Sequence, residues 1–106
     1  MEYPREQIEL GGASGTRYRF RRVIDLNLLP ATGGHFVYLK HTEGEASVIA
    51  CGASETLVKA REFWPKLQAE HGADSIYIRL SISRTSRLEE YEDIAQAQPT
   101  ASKMNL

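Results

Sequence analysis

Three arginines alternate along an aromatic and β-branched stretch near the start of the chain. Arg17, Arg19 and Arg21 are separated by Tyr18 and Phe20, and this alternation is typical of a strand whose successive side chains point to opposite faces. The arginines would stand about 7 Å apart on one face, a spacing that suits contacts with the phosphates of a nucleic acid. The alternative is a wet basic face, or a charged edge that prevents aggregation between sheets.

The three histidines and the single cysteine do not form a metal-binding or nucleophilic pattern. His35 and His41 would lie about 20 Å apart on a straight strand, which is too far to ligate one ion. His71 falls at a predicted helix end, where it favours a charge or carbonyl cap. Cys51 follows strand residues without a histidine beside it, so we expect a small buried hydrophobe. We therefore expect no cofactor.

An acidic run at residues 89–93 is the other candidate for chemistry. Its four carboxylates are of the ligand type that Mg²⁺ prefers. The alternative is a solvated acidic helix face on which Arg87 pairs with Glu90 or with Tyr91, one turn away.

Length and charge limit the classes of protein that fit. The chain has 106 residues, the size of one domain, and its 13 Lys and Arg against 14 Asp and Glu argue against a strong polyanion binder. No run of about 18 apolar residues marks a membrane span, and no basic and apolar leader marks secretion. One cysteine cannot form an internal disulfide, so the predicted compartment is a reducing cytoplasm.

Glycine and apolar patterns divide the chain into three parts. Three glycines within residues 11–15 predict a flexible N-terminal segment over residues 1–15. A single domain is expected over residues 16–99, starting with an extra strand at residues 16–25. The tail, residues 100–106, has little means of burying itself and is expected to fray, with Met104 and Leu106 able to dock.

Two β-rich runs, residues 34–40 and 45–51, are separated by only four residues and predict an antiparallel hairpin. A helix capped by Ser54 should follow, kinked or restarted at Pro65 and closed by Gly72. Its expected apolar positions are Leu57, Ala60, Trp64 and Leu67, with surface pairs Glu55/Lys59 and Glu62/Lys66.

The rest of the domain is predicted as one strand and one helix. Residues 74–80 alternate as a strand with one buried face, and Ser86 with Glu89 forms a capping-box pattern for a helix that Pro99 stops. The fold class is therefore α/β in the loose sense, or α+β: a small, mainly antiparallel sheet with a central hairpin, two main helices and an extra N-terminal strand. The predicted core is Val37, Leu39, Val48, Leu57, Trp64, Ile76, Ile78, Leu88 and Ile94.

In this order of elements, residues 34–99 resemble a GIY-YIG endonuclease domain. Residues 34–36 (Gly-His-Phe) stand where the family has Gly-Ile-Tyr, and residues 50–52 (Ala-Cys-Gly) stand where it has Tyr-Ile-Gly. A Gly-x-Ser turn and a downstream leucine also match. The motif positions that agree are Gly34, Gly52, Ser54 and Leu57.

The resemblance implies a reaction for which most of the chemical groups are missing. In the family a tyrosine helps activate water, an arginine neutralises the phosphate and a glutamate holds one divalent cation. The corresponding positions here are Phe36, Ala50, Ala60 and Glu90, of which only Glu90 keeps the family residue. Lys59 and Arg61 flank Ala60 and are candidates to replace the arginine, although Glu55 favours an ion pair with Lys59.

Three functions are consistent with these residues. The first is a GIY-YIG-like domain without family catalysis that binds nucleic acid, weakly, or another protein. The second is an active endonuclease that uses Mg²⁺ at Glu90 and a displaced tyrosine such as Tyr38. The third is a structural or assembly protein that keeps only the scaffold. The arginine row favours the first function and the balanced charge favours the third.

Overall fold

The computed structural model describes residues 4–106, which form one six-stranded sheet with helices on both of its faces. The strands are β1 (Gln7–Gly11), β2 (Arg17–Val23), β3 (Gly34–Thr42), β4 (Glu45–Ser54), β5 (Ser75–Leu80) and β6 (Ser102–Asn105). The helices are α1 (Trp64–His71) and α2 (Arg84–Gln96), with two 3-10 helices at Leu26–Leu28 and Leu57–Phe63.

The spatial order of the strands is β1-β2-β5-β3-β4-β6. All neighbours are antiparallel except β4 and β6, which run parallel. The long β3–β4 hairpin is central, since β3 pairs with β4 on one side and β5 on the other. The predicted α+β class, with a mainly antiparallel sheet, a central hairpin and two main helices, is confirmed.

Both faces of the sheet are covered, which divides the core into two clusters. The first core contains Phe36, Ile76 and Ile78 and is covered by the Leu57–Phe63 helix and α1. The second core contains Val37, Tyr77 and Ile94, and α2 contributes Ile94 to it. The prediction that β5 has one buried face is therefore wrong, because a central strand with helices on both sides buries alternate residues in each direction.

The predicted first helix is two helices of different type. A 3-10 segment, Leu57–Phe63, precedes α1, and Pro65 lies in the first turn of α1, where its missing N–H costs no hydrogen bond. Gly72 ends α1 in the left-handed conformation, with a φ of 70°, as predicted. The prediction that Ser54 caps this helix is wrong, because Thr56 is the N-cap of the Leu57–Phe63 helix and Ser54 is the last residue of β4. Ser54 Oγ instead accepts a bond from the Thr56 N–H at 3.2 Å.

The ion pairs predicted on this segment are not the ones observed. Within residues 4–106 neither Glu55/Lys59 nor Glu62/Lys66 forms, and Lys66 instead reaches Glu70 at 4.0 Å. Glu55 lies before the N-cap Thr56, outside the helix. Glu62 is in the 3-10 helix, which has three residues per turn, so side chains four apart do not stack there.

Helix α2 begins one turn earlier than the capping-box pattern indicated. Ser83 is its N-cap, and its Oγ accepts a bond from the Ser86 N–H at 3.4 Å, so Ser86 is inside the helix. In this helix Leu88 is 36% exposed and Arg87 is buried. The prediction that Leu88 belongs to the core is wrong.

Six of the nine predicted core residues are buried, and Val48 and Trp64 pack against the core while partly exposed. The six buried side chains are Val37, Leu39, Leu57, Ile76, Ile78 and Ile94.

Both segments predicted to be loose contribute strands. Within residues 1–15, Gln7–Gly11 forms β1, and the Gly12 N–H donates to the Thr16 carbonyl to close the β1–β2 turn. In the tail, Ser102–Asn105 forms β6 beside β4, and Met104 packs against the first core. The expected flexible segment and fraying tail are therefore wrong for these residues; residues 1–3 lie outside the described part. No helix in the described part of the chain is long and apolar enough to cross a membrane.

Candidate functional site

The three positions that would carry catalysis in the family lie inside the first core. Phe36, Ala50 and Ala60 each have 0% of their surface exposed. Tyr38, the candidate displaced tyrosine, is buried beside them and its hydroxyl donates to the Ala60 carbonyl oxygen. Burial also raises the pKa of Tyr38, so this phenol is kept protonated.

The motif glycines have a packing role in this arrangement. A Cβ at Gly34 would come within 2.2 Å of the Arg79 carbonyl oxygen on β5. A Cβ at Gly52 would come within 2.5 Å of the Phe36 ring and of the Met104 carbonyl on β6. Both positions therefore require glycine for strand contacts, and Leu57 next to them is fully buried.

Glu90 lies on the opposite side of the sheet from Phe36, Ala50 and Ala60. Its Oε1 accepts hydrogen bonds from His35 Nε2 at 3.0 Å and from Arg79 Nε at 3.3 Å. His35 precedes Phe36 on β3, and adjacent strand residues point to opposite faces. The four family positions consequently do not converge on one open surface, and the Glu90 carboxylate already has two protein donors.

Burial sets the protonation of His35, whereas hydrogen bonds and nearby charges set that of Glu90. Burial lowers the pKa of His35 below its ordinary value, and the Glu90 hydrogen bond offsets this only in part. Burial alone would raise the pKa of Glu90, but the hydrogen bonds and charges of Arg79 and His35 outweigh it and lower that pKa. Neutral His35 therefore donates Nε2–H to an ionised Glu90.

We expect stability to fall on acidification because of this pair. Below His35's ordinary pKa of 6.5 the unfolded chain binds a proton that the folded chain excludes. Glu90's contribution is present above its ordinary pKa of 4.5 and is lost as the pH falls through its lower folded value. The measurement is the free energy of unfolding by urea at about pH 7.5 and about pH 5. The free energy of unfolding should fall less between these two pH values in His35→Gln than in the unaltered protein. An equal fall in both proteins would contradict the assignment.

The acidic run contributes a second contact that its composition did not predict. Asp93 accepts from the Ser14 N–H at 2.8 Å, from Ser14 Oγ at 2.6 Å and from the Tyr18 hydroxyl at 2.7 Å. The bonds from Ser14 and then Tyr18 lower the pKa of Asp93. Asp93 thus anchors the glycine-rich turn to α2, and no sequence signal linked residues 79 positions apart.

Arg87 does not form the pair with Glu90 or Tyr91 that the alternative interpretation of the acidic run predicted. Its Nη1 donates to the Ser81 and Ile82 carbonyl oxygens at 3.0 Å each, so it closes the loop between β5 and α2.

The arginine row on β2 has the predicted orientation. Arg17, Arg19 and Arg21 are exposed, whereas Tyr18 and Phe20 are buried in the second core. Arg17 Nε contacts Glu9 Oε1 on β1 at 3.1 Å. Across residues 4–106, Arg19 and Arg21 have no side-chain hydrogen bond or ion pair.

A cleft of about 920 Å³ lies between β1, β2 and the turn of the β3–β4 hairpin. Its lining carries both signs of charge, and Arg21 is outside it. The residues that line it are Arg5, Gln7, Ile8, Glu9, Arg17, Arg19, His41, Glu43, Gly44, Glu45 and Ala46.

The remaining candidates do not join this cleft or Glu90. Lys59 is exposed on the Leu57–Phe63 helix without an ion pair in the described chain, and Arg61 donates to the Asn27 side chain at 3.0 Å. His71 is in the last turn of α1, as predicted. Cys51 is buried in the second core, as predicted, and burial raises the pKa of its thiol.

His41 does line the cleft, and its contact with Asp74 was not predicted. Its Nδ1 and backbone N–H both meet the Asp74 carboxylate, at 2.7 Å each. This contact fixes the base of the hairpin turn beside the start of β5.

Comparison with protein-family models, with curated proteins and with solved structures finds no match for this chain. Within residues 4–106, no three His, Cys, Asp or Glu side chains are grouped so as to hold a metal ion.

Proposed function

We propose that this chain is a GIY-YIG-like domain without nuclease chemistry, which binds a protein partner through the cleft between β1, β2 and the hairpin turn. The observation that carries the proposal is where the structure places the four residues that correspond to the family's catalytic positions. Phe36, Ala50 and Ala60 are enclosed in the first core, and Glu90 lies across the sheet with its carboxylate bonded. Water, phosphate and metal would have to meet at one exposed point for phosphodiester hydrolysis.

The nuclease alternative, with Tyr38 and Glu90 around Mg²⁺, has no geometric support. The Tyr38 hydroxyl is buried on the first-core side and donates to Ala60. Proton transfer requires the catalytic group within hydrogen-bond reach of the substrate, and Glu90 is on the other face.

The charges of the cleft favour a protein over a nucleic acid. Glu9, Glu43 and Glu45 line the same space as Arg5, Arg17 and Arg19. Phosphates entering this space would meet three carboxylates, which repel them, whereas the surface of a protein can offer both signs of charge in register. Arg17 is moreover already paired with Glu9.

A nucleic-acid partner is the second candidate, because Arg19 and Arg21 are exposed and have no ion pair among the described residues. Two phosphate contacts would give weak, sequence-independent binding. A plot of log affinity against log salt concentration would have a slope of about −1.8. A purely structural role is the third candidate and requires neither partner. The reducing cytoplasm remains part of the proposal and is supported by the buried free thiol of Cys51.

One experiment with a labelled DNA duplex tests the proposal. With Mg²⁺ or Mn²⁺ we expect no cleavage above background, and fluorescence anisotropy should detect no binding at low salt. Cleavage that disappears in Glu90→Ala would overturn the non-catalytic assignment. Binding with a slope near about −1.8 that is lost when Arg19 and Arg21 are both changed to Ala would replace the protein partner with a nucleic acid. Single-stranded and branched DNA serve as further substrates.

A further inference from the structure

Strand β1 is an edge of the sheet, and its outer backbone groups are unpaired in the described structure. It is bonded to β2 on one side only. The Arg22 N–H donates to the Glu6 carbonyl and the Gly12 N–H donates to the Thr16 carbonyl, so these opposite pairs are hydrogen-bonded. Because bonded and non-bonded pairs alternate in an antiparallel ladder, the residues of β1 that point their N–H and C=O outward are Gln7, Glu9 and Gly11.

We propose that an extended segment of the protein partner adds to this edge as an antiparallel strand beside β1. The inference rests on the proposed function and specifies how the partner binds. These three outward residues, which alternate along β1, offer a ladder of donors and acceptors. Domains that bind peptides through strand addition use the same feature. The antiparallel direction continues the pairing of β1 with β2.

Glu9 of β1 and Arg17 of β2 define the charge of the incoming strand at two positions. A residue opposite Glu9 should be basic, because directly opposite residues have Cβ atoms about 5 Å apart. Gly11 has no side chain, and a Cβ there would have nothing within 4 Å. Arg17 is the residue paired with Gly11 on β2, so an acidic side chain opposite Gly11 can extend over the glycine to this guanidinium. Arg17 has donors left after its bond to Glu9.

On the other face of β1, the incoming strand should carry apolar residues. Ile8 and Leu10 are partly buried and pack against the second core. The positions opposite them would extend that core by two side chains. In the antiparallel direction the incoming strand therefore carries an acidic, an apolar, a basic and an apolar residue in this order. A peptide with this pattern is Glu-Val-Lys-Val-Thr.

The test uses isotope-labelled full chain and this peptide with a Gly-Ser pair at each end. NMR titration should shift the amides of Gln7, Glu9 and Gly11. The charge-swapped peptide Lys-Val-Glu-Val-Thr should bind about fivefold more weakly, since its glutamate is opposite Glu9 and its lysine is directed at Arg17. The double variant Glu9→Lys with Arg17→Glu should reverse this preference, which loss of folding would not do.

A proline variant tests the backbone contribution. Gln7→Pro removes one outward N–H, while Glu6 and Ile8 keep their bonds to β2, so peptide binding should be lost. Gln7→Ala keeps the N–H and should retain binding; its far-UV spectrum and that of Gln7→Pro check that both variants fold.

Three results would overturn strand addition. They are no β1 shift at millimolar peptide, shifts confined to another surface, or equal affinity for the two charge patterns. These results would leave the non-catalytic assignment to be judged by the DNA experiment. A dimer in sedimentation velocity that Gln7→Pro abolishes would assign the edge to a second copy instead.

Discussion

Ala60→Arg is expected to destabilise the protein by about 3–5 kcal/mol, and this loss can unfold it at ambient temperature. The substitution restores the arginine that the resemblance places at this position. Ala60 is fully buried in the first core, and the Tyr38 hydroxyl donates to its carbonyl. A guanidinium there would be buried without a carboxylate and would overpack its neighbours. Urea unfolding followed by circular dichroism measures the effect.

Val58→Arg is the matched control, because Val58 is on the same 3-10 helix and is 40% exposed. Its free energy of unfolding should change by no more than about 0.5 kcal/mol. If Ala60→Arg were equally stable, position 60 would face an open surface. DNA cleavage by Ala60→Arg would further restore the nuclease hypothesis.

Ile78→Ala is expected to cost about 2–5 kcal/mol, because it leaves a cavity at the centre of the first core. Ile78 is on β5 between Arg21 of β2 and Phe36 of β3, and it is fully buried. Ile82→Ala is the control for side-chain truncation, since Ile82 is 74% exposed and lies beyond the strand. A urea midpoint in Ile78→Ala as high as in the control would show that β5 is not central.

The two substitutions separate the packing of the first core from the chemistry suggested by the resemblance. Both sites belong to the same buried cluster, one on a strand and the other on the covering helix. If Ala60→Arg is destabilising, the residue at position 60 serves the packing of this core. The cleft and the edge of β1, where we propose that the partner binds, lie outside this core.

The strands whose side chains alternate, or that are joined by a short turn, could be predicted from the sequence. The β3–β4 hairpin, β5 and the exposed arginine row of β2 all agree with the structure to within a few residues. These features depend on neighbours in the chain, because strand side chains alternate and turn residues restrict the backbone. The left-handed Gly72 at the end of α1 was predictable for the same local reason.

The edge strands could not be predicted, because their partners are distant in sequence. Strand β6 has few apolar residues of its own and forms because β4 presents a free edge parallel to it. The sequence of β1 is that of a polar segment. It forms a strand because it pairs with β2 and because Ile8 and Leu10 pack against the second core.

The sequence by itself determined which residue types stand at the positions that the GIY-YIG resemblance compares: Phe36 has no hydroxyl and Ala60 has no charge. Only the tertiary structure decided where Glu90 lies relative to them. An earlier N-cap at Ser83 and packing against the second core direct Glu90 towards His35 and Arg79, on the opposite face of the sheet. Local periodicity defines the sides of one strand or helix, but the side of the sheet on which a helix packs depends on contacts between elements far apart in the chain.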